Sequence, residues 1–260
     1  MSTEPQMTDF GFRRVPQADK QARVREVFDS VAGRYDIMND VMSGGLHRLW
    51  KRRMIEALYL APQSSGRTSP ITMLDVAGGT GDIANLALRR AQSQAINLNI
   101  KVLDINHEML KVGQARANNS ANSNNISFIH ANAEALPIAD SSTDIYTIAF
   151  GMRNITQRHK ALAEARRVLK PGGRFVCLEF SHLPTPFTQK LYDAYSFQII
   201  PAMGKLIAGD DAPYRYLVES IRQFPSAPVY AAALEEAGFA RVGYSRLSGG
   251  IAALHYGWRL

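Results

Sequence analysis

Two acids, three glycines and a few amides mark where this chain can do chemistry. Asp75 ends an apolar run, and Gly78, Gly79 and Gly81 follow it in Met73-Leu-Asp-Val-Ala-Gly-Gly-Thr-Gly-Asp82. Without Cβ atoms, these glycines let the backbone take positive φ and let a ligand come close. An apolar run, a glycine-rich turn containing Thr80 and a helix-compatible segment at 83–90 read as the first strand, loop and helix of a nucleotide-binding α/β sheet. Asp75, at the strand end, can accept a hydrogen bond from a cationic group or steady the loop.

The loop is a poor match to the dinucleotide spacing G-x-G-x-x-G, and Asp82 at the helix start would repel a pyrophosphate. An acidic loop suits a cation-bearing ligand. S-adenosylmethionine carries a sulfonium and an ammonium group, and its carboxylate can use backbone N–H groups. An ordinary glycine turn without a ligand is the plain alternative. Asp104 ends a second strand candidate, Val102-Leu-Asp-Ile-Asn106. Ligands of open α/β sheets lie outside the carboxyl ends of the strands. A carboxylate there can accept both ribose hydroxyls of an adenosyl group, although the same acid would also serve NAD or simply face solvent.

Asn132 and Ala133 follow the third strand in Asn132-Ala-Glu-Ala-Leu-Pro137. A side-chain amide beside an apolar residue suits the edge and face of adenine. Arg153 and Asn154 leave the fourth strand, where core packing does not call for polar groups and a reacting methyl group would arrive. The competing structural role has Asn154 capping the next helix and Arg153 forming a surface ion pair.

The elements that must position these residues alternate. Strand candidates lie at 71–76, 100–105, 126–130, 144–150 and 173–180, with helices at 83–90, 107–117 and 158–169 between them. Such alternation predicts a mostly parallel sheet. Lys170-Pro-Gly-Gly173 reads as a sharp stop after the last of these helices. Residues 184–224 break the pattern with aromatics and prolines, which predicts an inserted helical lobe serving as core, lid or wall. A helix at 227–237 and strands at 240–247 and 251–258 then complete seven strands with an antiparallel terminal pair. Ahead of the sheet, residues 1–20 read as a mobile tail and 21–62 as a helical cap. The cap's second helix, 46–60, is basic on one side through His47, Arg48, Lys51, Arg52 and Arg53. A turn-rich linker leads into the main domain at 70–260.

Composition bounds the reading. The chain has 260 residues, 46% hydrophobic and 20% charged, which suits one large domain with an appendage. Its net charge of +7 favours anionic partners, but the basic residues form no run. A single cysteine, Cys177, rules out an internal disulfide and a multi-cysteine metal site, and its apolar surroundings predict a buried, inert thiol. No apolar stretch is long enough to span a bilayer. The first 20 residues lack a secretory apolar core and hold Glu4 and Asp9 with few arginines, so neither a signal peptide nor a mitochondrial presequence is expected.

Four stretches in order resemble class I S-adenosylmethionine-dependent methyltransferases: Leu-Asp-Val-Ala-Gly-Gly-Thr-Gly-Asp, Leu-Asp-Ile-Asn, Asn-Ala-Glu-Ala-Leu-Pro and Leu-Lys-Pro-Gly-Gly. Three longer ones are similar to the ubiquinone/menaquinone biosynthesis C-methyltransferases. They are Val27-Phe-Asp-Ser-Val-Ala-Gly-Arg-Tyr-Asp-Ile-Met-Asn-Asp40, Phe150-Gly-Met-Arg-Asn-Ile-Thr156 and Tyr214-Arg-Tyr-Leu-Val-Glu-Ser-Ile-Arg-Gln-Phe-Pro225. The resemblance runs from about residue 20 to the C-terminus. It implies a Rossmann-like fold, S-adenosylmethionine as cofactor, and cofactor contacts at Thr80, Asp104, Asn132 and Ala133. Ala149 departs from members that carry Ser there.

The implied acceptor is a polyprenyl benzoquinol, 2-methoxy-6-polyprenyl-1,4-benzoquinol, or the naphthoquinol demethylmenaquinol. Tyr35 and Asp36, with Arg153 and Asn154 across the cleft, would surround its ring. Arg153 would stabilise a phenolate or orient a water, not act as a free base. The expected setting is a bacterial cytoplasm with peripheral contact at the inner membrane, through the basic helix and the aromatic lobe. A homodimer or association with other quinone-biosynthesis enzymes is the expected assembly. A nucleic-acid methyltransferase is disfavoured by the absence of interleaved basic and aromatic tracts. A non-catalytic quinone carrier on the same fold is the other alternative.

Overall fold

The computed structural model describes residues 6–31, 40, 43–60, 69–118, 124–194, 196–197, 205 and 212–260. Its centre is a seven-stranded sheet. The strands are β3 (Ile71–Val76), β4 (Leu98–Asp104), β5 (Ile126–His130), β6 (Thr143–Ala149), β7 (Leu169–Phe180), β8 (Ala240–Leu247) and β9 (Ala252–Trp258), in spatial order β5-β4-β3-β6-β7-β9-β8. All neighbours are parallel except β9, which runs antiparallel to both β7 and β8. The terminal pair is therefore the expected hairpin, with its last strand inserted between β7 and the edge strand β8.

The chain starts the sheet in the middle at β3, steps outward to β4 and β5, then crosses back to β6 on the other side of β3. That reversal opens a crevice at the carboxyl ends of β3, β4 and β6. The central strands carry apolar side chains on both faces: Met73, Leu74 and Val76 are at most 1% exposed. One face is covered by α2 (His47–Glu56), α3 (Asp82–Ser93) and α7 (Ala212–Gln223), which contribute Met54, Leu88 and Leu217 to one core cluster. The other is covered by α5 (Arg158–Val168) and α8 (Ala227–Glu236), with Leu162, Val168 and Leu234 in the second. Helix α4 (His107–Asn118) follows β4, and α6 (Pro186–Ala194) stands in the inserted lobe.

Three expectations are corrected. Most of the segment expected as a tail is structured: β1 (Met7–Phe10) and β2 (Arg13–Pro16) form an antiparallel hairpin, and α1 (Gln17–Val31) starts directly after it. The hairpin is held because Phe10 stacks on Tyr216 at 4.4 Å and the Phe12 N–H donates to Glu219 at 3.1 Å. Its partners lie some two hundred residues away, so no local signal marks it. Helix α2 is not in front of the sheet but packed on it. Trp50 lies 5.8 Å from Phe180, edge to face, and its indole N–H donates to Ser248 at 2.8 Å. The basic side of α2 also turns inward in part. Lys51 is buried against Asp82, His47 is buried against Asp40, and Arg48 pairs with Asp40. Of the five basic residues Arg48, Arg52 and Arg53 remain exposed, with Arg48 paired to Asp40 and Arg53 to Glu56.

Candidate active site

The crevice is a cleft of about 1190 Å³, continuous with solvent, at the carboxyl ends of β3, β4 and β6. Asp75, Gly78, Gly79, Thr80, Asp104, Asn132, Ala133 and Asn154 line it together. Ala149 lines it too, so a serine-sized group is absent from that wall. Tyr35 and Asp36 lie outside the described residues.

The glycine loop is shaped by contacts that exclude side chains. A Cβ on Gly78 would stand 2.8 Å from the Asp75 carbonyl and from Asp75 Oδ2. Gly79 and Gly81 have φ of +54° and +77°. Gly81 is not part of the cleft wall: it begins α3, and a Cβ there would press on the Phe128 ring at 3.2 Å. Gly113 on α4 completes this packing, since a Cβ there would meet Phe128 at 2.5 Å. Nothing in the sequence marks Gly113, which sits inside an ordinary helical stretch.

The two acids do different work. Asp75 is fully buried, and its Oδ1 accepts from Thr147 Oγ1 at 2.9 Å. Its Oδ2 is buried without a hydrogen-bond partner among the described residues. Burial pushes its carboxyl up to about 7, with the Thr147 hydrogen bond opposing. Asp104 uses both oxygens, accepting from the Gly79 and Asn106 backbone N–H groups at 2.8 Å each. Burial raises its pKa, against those N–H bonds. Each of its oxygens keeps a lone pair for a further donor. The Asn132 side-chain oxygen accepts from the Glu134 N–H at 2.9 Å, fixing the turn after β5.

Adjacent residues on the next loop part company. Phe150 takes a φ of +56°, and Met152–Asn154 form a 3₁₀ turn. Asn154 faces the cleft, and its Oδ1 accepts from the Tyr216 hydroxyl at 3.1 Å. Arg153 does not face the cleft. Its guanidinium pairs with Glu179 on β7 at 2.7 Å, donates to the Phe150 carbonyl and lies 5.7 Å from the Phe180 ring centre. Both members of that pair are at most 1% exposed. Of the two roles open from sequence, this geometry is a structural one, formed in the interior instead of at the surface.

Four further lining residues went unseen in the sequence. Glu134 accepts from the Thr156 and Gln157 N–H groups at 3.1 and 2.9 Å, so it anchors the loop that enters α5. Gln21 and Arg25 reach the cleft from α1, and Lys51 reaches it from α2, where it meets Asp82 at 2.5 Å. No local pattern marks contacts made across such distances.

The cleft's charge selects its ligand. Asp75, Asp82, Asp104 and Glu134 face it against Arg25 and Lys51, and with Lys51 and Asp82 paired to each other three acids stand against one cation. Surplus negative charge and a buried carboxylate oxygen lacking a donor fit a ligand bearing an ammonium and a sulfonium, and oppose a pyrophosphate. The fold and this site define a class I S-adenosylmethionine-dependent methyltransferase.

The sequence profile described as the ubiE/COQ5 methyltransferase family matches residues 16–259, and the chain belongs to that family. It is 56% identical, over the full length of both chains, to the ubiquinone/menaquinone biosynthesis C-methyltransferase UbiE of Methylobacterium nodulans. It is 53% identical, again over both full lengths, to UbiE of Bradyrhizobium diazoefficiens. Among solved structures, the DszA carbon methyltransferase matches with a TM-score of 0.65 at 19% identity, covering 89% of this chain and 60% of that one. The citrinin polyketide synthase CMeT domain gives the same TM-score at 13% identity, covering 91% and 59%. At such identities the likeness is one of fold.

Proposed function

We propose that this enzyme methylates a ring carbon of a polyprenyl benzoquinol, 2-methoxy-6-polyprenyl-1,4-benzoquinol, with demethylmenaquinol as the related naphthoquinol acceptor. The observation that carries the reading is full-length identity of 56% to an enzyme named for ubiquinone and menaquinone biosynthesis. S-adenosylmethionine supplies an electrophilic methyl group on a sulfonium. The chain's part is to hold the two reactants in line and to favour the phenolate form of the acceptor, whose ring carbon is then nucleophilic.

Asp75 takes the cofactor's ammonium, Asp104 the ribose hydroxyls, and the Gly78–Gly79–Thr80 backbone the carboxylate. Asn132 and Ala133 flank the adenine. Because Tyr216 holds the oxygen of Asn154, the amide NH₂ is left to donate to a quinol oxygen. Arg153 acts on the ring only indirectly, by fixing the loop that carries Asn154. The test is transfer of labelled methyl from S-adenosylmethionine to reduced benzoquinol and naphthoquinol acceptors side by side. Transfer to neither would end the proposal.

Such an acceptor carries its tail in a bilayer, and we infer peripheral attachment. Among the described residues no helix is long and apolar enough to cross a membrane. Phe12 at the hairpin tip is 56% exposed and stacks at 6.0 Å on Phe197, and Phe187 on α6 is 79% exposed. Exposed aromatics of this kind support attachment through the hairpin tip and the lobe, beside the exposed arginines of α2. Flotation with anionic liposomes checks it: Phe12→Ser and Phe187→Ser should each reduce co-flotation, and a parent protein that stays unbound at low salt would count against attachment.

A further inference from the structure

A second cavity of about 380 Å³, continuous with solvent, lies beneath the N-terminal hairpin, apart from the cofactor cleft except for a shared wall at Thr156. Three cationic side chains from three elements converge on it: Lys20 of α1, Arg153 of the 3₁₀ turn and Arg158 of α5. Their donors are largely unspent. Among the described residues, Nε and Nη2 of Arg153 are buried without a hydrogen-bond partner, on a side chain 1% exposed. Lys20, only 5% exposed, and Arg158 make no hydrogen bond or salt bridge to any described residue. Arg158 lies 5.7 Å from the centre of the Phe224 ring, with Asp9 and Glu179 as its nearby acids.

Buried cations repel one another and lose hydration, so like charges gathered without partners are costly unless something completes them. Burial and the neighbouring Arg158 indeed bring the Lys20 ammonium down to about 8. The negative charges nearby are too few to do so. Glu179 is engaged by Arg153, Glu134 caps the loop into α5, and the carboxylate of Asp9 lies on the exposed hairpin at the cavity's edge.

We propose that this cavity is a binding site for a small oxyanion of phosphate size, distinct from the cofactor site. Two guanidinium groups and an ammonium provide the charge-assisted donors that such an anion needs. Bound there, it would tie the β1–β2 hairpin and α1 to the loop that carries Asn154. It would thus stiffen the far wall of the cleft without entering it. Asp9 is the anion's competitor, since its carboxylate lines the cavity and interacts with Lys20.

The probe is inorganic phosphate, added to the full chain at ionic strength matched with chloride, with and without saturating S-adenosylmethionine. Melting temperature, calorimetry and amide exchange of residues 7–16 are the readouts. The expected result is saturable stabilisation beyond chloride, persisting with the cofactor bound, and slower exchange in the hairpin. Lys20→Gln and Arg158→Gln should each weaken phosphate roughly tenfold or more, the scale of one charge-assisted hydrogen bond. Asp9→Asn, an exposed change that leaves the fold alone, should tighten it. Three results overturn the proposal: phosphate acting no differently from chloride, saturable binding that none of these variants moves, or phosphate displaced by S-adenosylmethionine. None of these readouts depends on the acceptor, so they test this site separately from the quinol assignment.

Discussion

Two cavities of opposite character meet at Thr156. The cleft is large, open and acidic, and its working surface is mostly backbone at strand ends. The second is small, basic and walled by long side chains from four separate elements. Arg153 and Asn154, neighbours in sequence, serve one each. In a 3₁₀ turn consecutive side chains leave the axis about 120° apart, so two adjacent polar residues need not share a site. A polar pair after a strand end is thus one structural clue that resolves into two roles.

The largest test of that division is Arg153→Ala. It strands Glu179, which is 0% exposed, so a loss of about 3–5 kcal/mol is expected, seen as a large fall in melting temperature. Replacing both partners, Arg153→Met with Glu179→Gln, should restore part of it, because the stranded carboxylate is gone and the amide oxygen can still accept from the Arg153 and Phe180 backbone N–H groups. An Arg153→Ala protein that melts like the parent but turns over slowly would put Arg153 back at the reacting ring.

On the cleft side, Asp104→Ala should weaken S-adenosylmethionine by about 1.5–3 kcal/mol in calorimetry, the range for hydrogen bonds to a charged group. Its effect on melting should be smaller than that of Arg153→Ala, since the groups it frees are backbone N–H groups at a cleft open to water. Unchanged affinity would remove Asp104 from the cofactor site.

Tyr216→Phe touches the wall between the cavities by deleting one hydrogen bond to Asn154. About 0.5–1.5 kcal/mol of stability is at stake. Turnover should fall by more than cofactor affinity, because the Asn154 amide loses its fixed orientation. Equal effects on both would deny it an orienting role.

The last test follows a proton. Asp75 is pushed from 3.8 to about 7 by burial, so in that window the folded apoprotein holds a proton that the unfolded chain has released. Apoprotein stability should therefore fall as pH rises from about 4 to 7 through this group. A cofactor ammonium favours the ionised carboxylate, so binding at pH 6 should release protons and strengthen as pH rises. Calorimetry in buffers of different ionisation enthalpy measures this. No proton release, or an affinity independent of pH in the window, would place the ammonium elsewhere.

Much of the cleft was legible because local backbone demands write themselves into sequence. The glycines of the β3 loop answer to positive φ and to missing space for a Cβ. Strand-end acids at 75 and 104 follow from where an α/β sheet opens. The bounds of β3 and β5 agree with the strand candidates at 71–76 and 126–130, because apolar β-branched runs between turn residues leave little choice. The burial of Cys177 followed from its apolar neighbours, and burial raises its thiol as an inert group requires.

Only tertiary structure decided the rest. Phe10 carries no mark that it fastens a hairpin, because Tyr216 lies on the far side of the sequence. The basic face of α2 looked like a surface for anions until Asp82 and Asp40 drew Lys51 and His47 inward. Arg153 found Glu179 only when β6 and β7 came side by side. Backbone geometry is fixed by a residue and its neighbours. A buried charge is fixed by whichever partner the folded chain brings within reach, and the sequence alone does not name that partner.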